Sequence, residues 1–169
     1  MKLNRQGRSR ILDTNELDLL IDCLPTNKHK LIALVCRRTA CRISEAIQLR
    51  WENVMPGVLF FPIEVTKNKL SPRSIPITDD FYQAIQHWKT ECEEAGESID
   101  PKDYLFKGRF LNTHLTSRAF QKALKGAVNE SDLLGTSSHS FRRSGLSSAS
   151  NANIPLRHIQ ELSGHRNLG

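Results

Sequence analysis

The chain lacks the features of a membrane, secreted or zinc-binding protein. None of its apolar runs approaches the length needed to cross a bilayer. The basic N-terminus, MKLNRQGRSR, has no apolar stretch of the kind found in a secretory signal. The four cysteines include no C-x-x-C pair, which argues against the common zinc spacings. Reduced thiols in a cytosolic protein are the expectation.

The chain is also poor in acidic residues relative to basic ones. It has 24 lysines and arginines against 18 aspartates and glutamates, a net charge of +6. A positive excess favours a polyanionic partner such as nucleic acid. The length of 169 residues is enough for one domain with its own hydrophobic core.

The pattern of apolar residues along the chain predicts a mostly helical α+β domain with one small antiparallel sheet of two or three strands. Residues 1–12 are predicted to be a basic arm or linker stub, and residues 13–169 the domain. Asp13 and Glu16 have capping-box spacing at the first helix, and Ser44 is the predicted N-cap of a short third one. Helices are predicted in DTNELDLLIDCL, NKHKLIALVCRRTA, SEAIQL, the stretch from Asp79 to Cys92, HLTSRAFQKALKGAV, SFRRSGLSSAS and IPLRHIQELS. Strands are predicted in GVLFFPIEV and RSIPI.

Two arginine-bearing segments are candidates for anion binding. In HSFRR, His139 and Arg142 are three residues apart at the start of a predicted helix, so they share one side of it. In ACRISEAIQLRW, Arg42 lies between two predicted helices among small and apolar residues, with Glu45 as a possible partner. Taken singly, each segment is more simply explained as a solvated basic turn or a surface ion pair.

A predicted hairpin and the end of the chain supply further cations. Lys67 and Lys69 lie at the hairpin tip, where most lysines only keep a sheet edge soluble. His165 follows a glycine in LSGHRNLG, and a lone histidine near a chain end is commonly structural. Together with the arginines, these residues form a donor-rich cationic set without a carboxylate pair. Such a set suits a phosphodiester whose transition state gains negative charge.

The order and spacing of these segments resemble the catalytic domain of the tyrosine recombinases, the phage integrase family. ACRISEAIQLRWENV resembles the first box through Arg42 and Glu45, with Ala40 where the family usually has glycine. TKNKLSPRSIPIT resembles the hairpin, with Lys67 as the matching lysine and Lys69 as the alternative. HSFRRSGLS resembles the third box and LSGHRNLG the fourth. The resemblance extends from about residue 13 to the end of the chain.

The resemblance implies a nucleophilic tyrosine roughly nine residues beyond His165, where this chain has only four more residues. Tyr82 and Tyr104 do not occupy that position and are predicted to pack. We therefore expect a chain that stops before its nucleophile and is inactive by itself, from a parent that carries a separate DNA-binding domain.

The resemblance also implies a mechanism for the parent enzyme. A tyrosine would attack a DNA phosphodiester, forming a 3′-phosphotyrosyl link and releasing a 5′-hydroxyl, without metal or cofactor. The implied roles are phosphate clamping for Arg42 and Arg142, general acid for Lys67, proton transfer for His139, phosphate binding for His165, and support of Arg42 for Glu45. The implied partner is double-stranded DNA, bound by a homotetramer of the parent. This chain alone is expected to be monomeric. The implied location is the cytoplasm, in association with the nucleoid and away from membranes.

Two alternatives stay open on the sequence. A type IB topoisomerase shares the constellation of residues but relaxes supercoils without pairing two sites. A DNA-binding module without chemistry would occupy sites and antagonise an active recombinase.

Overall fold

The computed structural model describes residues 9–66, 71–155 and 157–159. Within these ranges the chain is mostly helical, with one antiparallel sheet in the order β1-β2-β3, which confirms the predicted α+β class. No helix among the described residues has the length and apolarity to cross a bilayer. The helices are α1 (Thr14–Asp22), α2 (Asn27–Thr39), α3 (Ile43–Ala46), α4 (Asp79–Glu94), α5 (Ser117–Glu130) and α6 (Ser138–Asn151). The strands are β1 (Val54–Met55), β2 (Val58–Phe61) and β3 (Arg73–Pro76), preceded by a 3₁₀ turn at Trp51–Asn53.

The chain divides into two compact units. The helical unit comprises residues 1–43 and 117–169 and contains α1, α2, α5 and α6. The sheet unit comprises residues 44–116 and contains the three strands and α4. The division falls inside the short helix α3, directly after Ile43.

The helical unit forms where the local signals of the sequence predicted it. The Asp13 side chain accepts a hydrogen bond from the Glu16 amide at 2.9 Å, and the Glu16 carboxylate accepts one from the Asp13 amide at 3.0 Å. This confirms the predicted capping box of α1. Helix α2 ends where Ala40 adopts the left-handed conformation, with φ of 51°. The core of the unit includes the fully buried side chains Leu20, Ile32, Phe120 and Phe141.

Helix α6 packs closely against α2 because one of its residues has no side chain. A Cβ atom built at Gly145 would lie 2.6 Å from the backbone oxygen of Arg37. A backbone carbonyl cannot move aside as a flexible side chain can, so only glycine fits at this crossing. This contact was not predicted from the sequence, although an isolated glycine inside a helical pattern often indicates close packing.

The sheet unit buries one face of its strands. Leu59 on β2 pairs with Val54 on β1 and with Ile75 on β3. Leu59 and Ile75 are almost fully buried, and the exposure of β2 alternates along the strand as expected for a half-buried sheet. Helix α4 buries Phe81, Ile85 and Cys92, which were part of its predicted apolar stripe.

The predicted starts of α3 and α5 are wrong, and α6 begins at Ser138, two residues before the predicted Ser140. Ser44 is not an N-cap, because α3 begins at Ile43 and Ser44 lies inside it. The left-handed turn at Ala40 lets the chain re-enter a helix earlier than the sequence suggested. Helix α5 starts at Ser117 rather than His114, because His114 forms an isolated antiparallel bridge with Lys107.

Residues 9–12, the last part of the predicted arm, pack against the segment that leads into α6 and against α6 itself. The Arg10 amide donates to Gly135 O at 3.0 Å, and the Leu12 amide donates to the Ser144 hydroxyl at 2.8 Å. Leu12 is 2% exposed. These four residues therefore belong to the packed helical unit.

Candidate active site

Arg42 lies on the connection between α2 and α3, as the sequence predicted. The connection consists of Ala40, Cys41 and Arg42, since α2 ends at Thr39 and α3 begins at Ile43. Ala40 and Cys41 are buried, whereas Arg42 is half-buried. The left-handed backbone at Ala40 explains why glycine suits this position, because an L side chain meets steric resistance there.

Arg142 is buried at the N-terminal end of α6 and reaches the same connection. It is 6% exposed, and its Nη1 donates a hydrogen bond to the backbone oxygen of Ala40. Ala40 is only two residues before Arg42, so the guanidinium group of Arg142 is bound to the segment that carries the first arginine. This hydrogen bond spans 102 positions of the sequence. It joins the two arginine segments that were grouped in the sequence as one cationic set and by the family resemblance.

The N-terminal end of α6 is well capped and carries His139. Ser137 is the N-cap, and its hydroxyl accepts from the His139 amide at 3.3 Å. The Ser140 hydroxyl accepts a hydrogen bond from the Ser137 amide at 3.2 Å, which completes a capping box. His139 is exposed, whereas Arg142 one turn later is buried. An exposed imidazole at a helix N-terminus is accessible to an anion from solvent.

Arg143, the neighbour of Arg142, is directed to a different partner. It is half-buried and donates a hydrogen bond to the backbone oxygen of Ser9. The Ser9 hydroxyl also lies 2.5 Å from the Ser137 hydroxyl. Ser9 of the N-terminal segment thus contacts α6 through Arg143 and through the N-cap residue Ser137. Arg142 instead contacts Ala40, directly after α2.

Glu45 is buried in the sheet unit and forms an ion pair with Arg73. It is 1% exposed, and its Oε2 accepts a hydrogen bond from Nη2 of Arg73 at 2.8 Å. From the sequence, Arg42 was the partner predicted for Glu45, and Arg73 was missed. An arginine at the start of the short β-rich stretch RSIPI could have indicated a second candidate partner.

Three of the predicted site residues, Lys67, Lys69 and His165, lie outside the described residues. The two tyrosines are both described and both half-buried. Tyr104 packs edge-on against His114, with ring centroids 5.1 Å apart, and under the guanidinium of Arg50 at 4.2 Å. A ring with these two contacts is suited to packing, which is the role predicted for it from the sequence.

Among the described residues, no group of three or more histidine, cysteine or acidic side chains could hold a metal ion. A surface cavity of about 650 Å³ lies in the sheet unit around Arg50, Tyr104 and Phe110, and none of the predicted site residues lines it. The described candidate site thus consists of cationic side chains and the end of a helix.

Comparison with known proteins identifies the family of the chain. The model of the phage integrase family matches residues 10–169. The chain belongs to the phage integrase family. It is 27% identical to the integrase/recombinase y4qK of Sinorhizobium fredii (strain NBRC 101917 / NGR234) over 165 residues, which cover 94% of this chain and 49% of y4qK. The chain therefore spans about half the length of this relative.

Solved structures of integrases share the fold. The Tn1549 transposon integrase, in complex with transposon right end DNA, aligns with a TM-score of 0.79 and 18% identity, over 98% of this chain and 61% of that one. The catalytic domain of bacteriophage HP1 integrase aligns with a TM-score of 0.67 and 18% identity, over 95% of this chain and 83% of that one. The fold of this chain is thus that of integrase catalytic domains.

Proposed function

We propose that this chain is the catalytic domain of a site-specific DNA recombinase, comprising residues 13–169 together with the packed residues 9–12. The observation that carries the proposal is the hydrogen bond from Arg142 to Ala40, which brings a buried guanidinium to the segment of Arg42. Arg42 on the connection and Arg142 bonded to it from α6 are a pair of side chains suited to binding phosphate oxygens. The family membership and the DNA complexes of the Tn1549 and XerH recombinases support duplex DNA as the substrate.

In the proposed reaction a tyrosine oxygen attacks the phosphorus and the bond from phosphorus to the 5′-oxygen breaks. The negative charge that develops on the non-bridging oxygens is stabilised by Arg42 and Arg142. Lys67, with Lys69 as the alternative, donates a proton to the departing 5′-oxygen, and His139 assists this transfer. His165 binds a phosphate oxygen, and Glu45 supports the segment of Arg42. Attack by the 5′-hydroxyl of a second strand on the phosphotyrosyl link then rejoins DNA and regenerates the tyrosine.

Neither tyrosine of this chain is assigned as the nucleophile. Tyr104 packs against Arg50 and His114, and Tyr82 lies in the long helix α4 of the sheet unit. We further propose that the full-length protein acts as a homotetramer on two DNA sites, while this chain alone is monomeric.

The test is covalent trapping with the full-length gene product. A duplex that contains a nick near the cleavage site loses its short 5′-end after cleavage, so the phosphotyrosyl adduct accumulates and is detected on a denaturing gel. Peptide mapping then identifies the attached tyrosine. An adduct on a tyrosine other than Tyr82 or Tyr104 is the expected result.

Two other outcomes would contradict the proposal. Specific DNA binding without any adduct would indicate a binding module instead. Relaxation of a supercoiled plasmid without recombination between two sites would indicate a topoisomerase.

A further inference from the structure

The sheet unit contains a buried ion pair that the predicted reaction does not use directly. Arg73 is the first residue of β3 and pairs in register with Phe61 on β2. Its guanidinium lies 5.2 Å from the centre of the Phe61 ring and donates to Glu45 at 2.8 Å. The two charged side chains are 9% and 1% exposed. The pair therefore links the start of β3 to the short helix α3.

The pair is incompletely satisfied. Nε of Arg73 is buried, and no atom of the described residues accepts a hydrogen bond from it. Burying two charges costs desolvation energy, and replacing such a pair by apolar side chains of similar size is commonly neutral or stabilising. Stability alone therefore does not account for a charged pair at this position, whereas a need to fix one geometry does.

The geometry that the pair fixes is that of α3. This helix has only four residues, and a single helical turn does not hold its own conformation in water. Its placement depends on its anchors, which include the buried residues Glu45 and Ala46. Helix α3 begins directly after Arg42, so any rotation of the turn changes the direction in which the Arg42 side chain leaves the backbone.

We propose that Arg73 is a positioning residue of the recombination reaction: its ion pair with Glu45 fixes the α3 turn and thereby the orientation of Arg42. This inference rests on the proposed function, because it assigns Arg42 to the scissile phosphate. Arg73 itself does not touch the DNA. Its removal changes the rate of the chemical step and leaves the affinity for DNA in place.

The experiment uses the full-length protein with four changes: Arg73→Met, the double change Glu45→Met with Arg73→Met, Arg73→Lys, and Arg109→Met. Arg109 is an exposed arginine of the same unit and serves as the control for loss of one positive charge. Three quantities are measured for each variant: the melting temperature, the Kd for duplex DNA, and the single-turnover rate of adduct formation on the nicked duplex.

The decisive variant is the double change, which removes both charges of this ion pair. We expect it to melt close to wild type, to bind DNA with nearly unchanged Kd, and to form the adduct about tenfold to a hundredfold more slowly, the loss expected from a small misplacement of a reacting group. Arg73→Met alone should also melt at a lower temperature, because it leaves Glu45 buried without this partner. Arg73→Lys keeps the positive charge but loses the planar guanidinium group. Its rate of adduct formation should therefore fall between those of the wild type and the double variant.

Each other result is decisive as well. A double variant that forms the adduct at the wild-type rate would show that the pair only packs, and the inference would be overturned. If the double variant does not fold, Arg73→Lys decides by the same comparison of rate and Kd. A slow Arg109→Met variant would assign the loss in the single Arg73→Met variant to overall charge, and the double variant, whose net charge is unchanged, would then decide. Wild-type protein that forms no adduct would instead overturn the proposed function, and this inference with it.

Discussion

Two buried arginines, one in each unit, are held by different kinds of partner. Arg142 of the helical unit donates to the neutral carbonyl of Ala40, whereas Arg73 of the sheet unit donates to the carboxylate of Glu45. A hydrogen bond to a carbonyl orients a guanidinium without cancelling its charge, but a carboxylate at 2.8 Å neutralises it. Arg73 is therefore suited to hold a segment of backbone, whereas the role proposed for Arg142 is to bind a phosphate oxygen.

The largest expected effect comes from removing the guanidinium of Arg142. Arg142→Ala in the full-length protein should slow adduct formation by about 100- to 1,000-fold, the usual loss when one donor to a developing oxyanion is removed. The rate is measured in single turnover on the nicked duplex, with circular dichroism to verify folding. The matched control is Arg143→Ala, one residue along α6, whose hydrogen bond goes to Ser9. Equal losses in both variants would remove the distinction between the two arginines.

The close approach of α6 to α2, which brings Arg142 to Ala40, can be disturbed at a glycine. Gly145→Ala should destabilise the chain by about 1–3 kcal/mol, because its Cβ would meet the Arg37 carbonyl. Gly126→Ala on α5 is the control, since nothing lies within 4 Å of a Cβ there. That variant should gain roughly 0.5–1 kcal/mol from better helix propensity. Urea denaturation of both variants measures the difference, and similar values would contradict the close packing.

The salt dependence of DNA binding tests whether the two units use their arginines differently. If the chain neutralises two phosphates, its Kd should weaken roughly tenfold between 50 and 200 mM salt. Arg42→Gln should reduce the slope of log Kd against log salt by about one, as expected for a lost phosphate contact. The double change Glu45→Met with Arg73→Met should leave the slope unchanged. Fluorescence anisotropy with a labelled duplex gives both slopes, and equal reductions would refute the comparison.

The smallest effect is expected at the left-handed residue before Arg42. Ala40→Gly relieves backbone strain of about 1–2 kcal/mol. It also removes a buried methyl group and adds unfolded-state entropy, which together cost about as much. The free energy of unfolding should therefore change by less than about 1 kcal/mol. Ala40→Val, with a branched side chain in the same conformation, should be clearly destabilising by the same urea measurement. A stable Ala40→Val variant would contradict the left-handed assignment.

Much of the fold could be predicted because its signals are local. The capping box of α1, the apolar stripe of α4 and the half-buried pattern of β2 each lie within a few neighbouring residues. The N-cap prediction at Ser44 was wrong for a different reason: the left-handed backbone at Ala40 precedes α3, and no side-chain pattern in the sequence marks it. Local propensity predicts that a helix exists better than it predicts where the helix begins.

By itself, the sequence determined the class of the fold, the positive charge of the surface and the identity of the cationic residues. Only the tertiary structure decided which partner each arginine has: Ala40 for Arg142, 102 positions away, and Glu45 for Arg73, 28 positions away. Hydrophobic periodicity sets which face of an element is buried. The atom that a buried guanidinium reaches depends on how two elements pack, and here that packing turns on the missing side chain of Gly145 and the left-handed turn at Ala40.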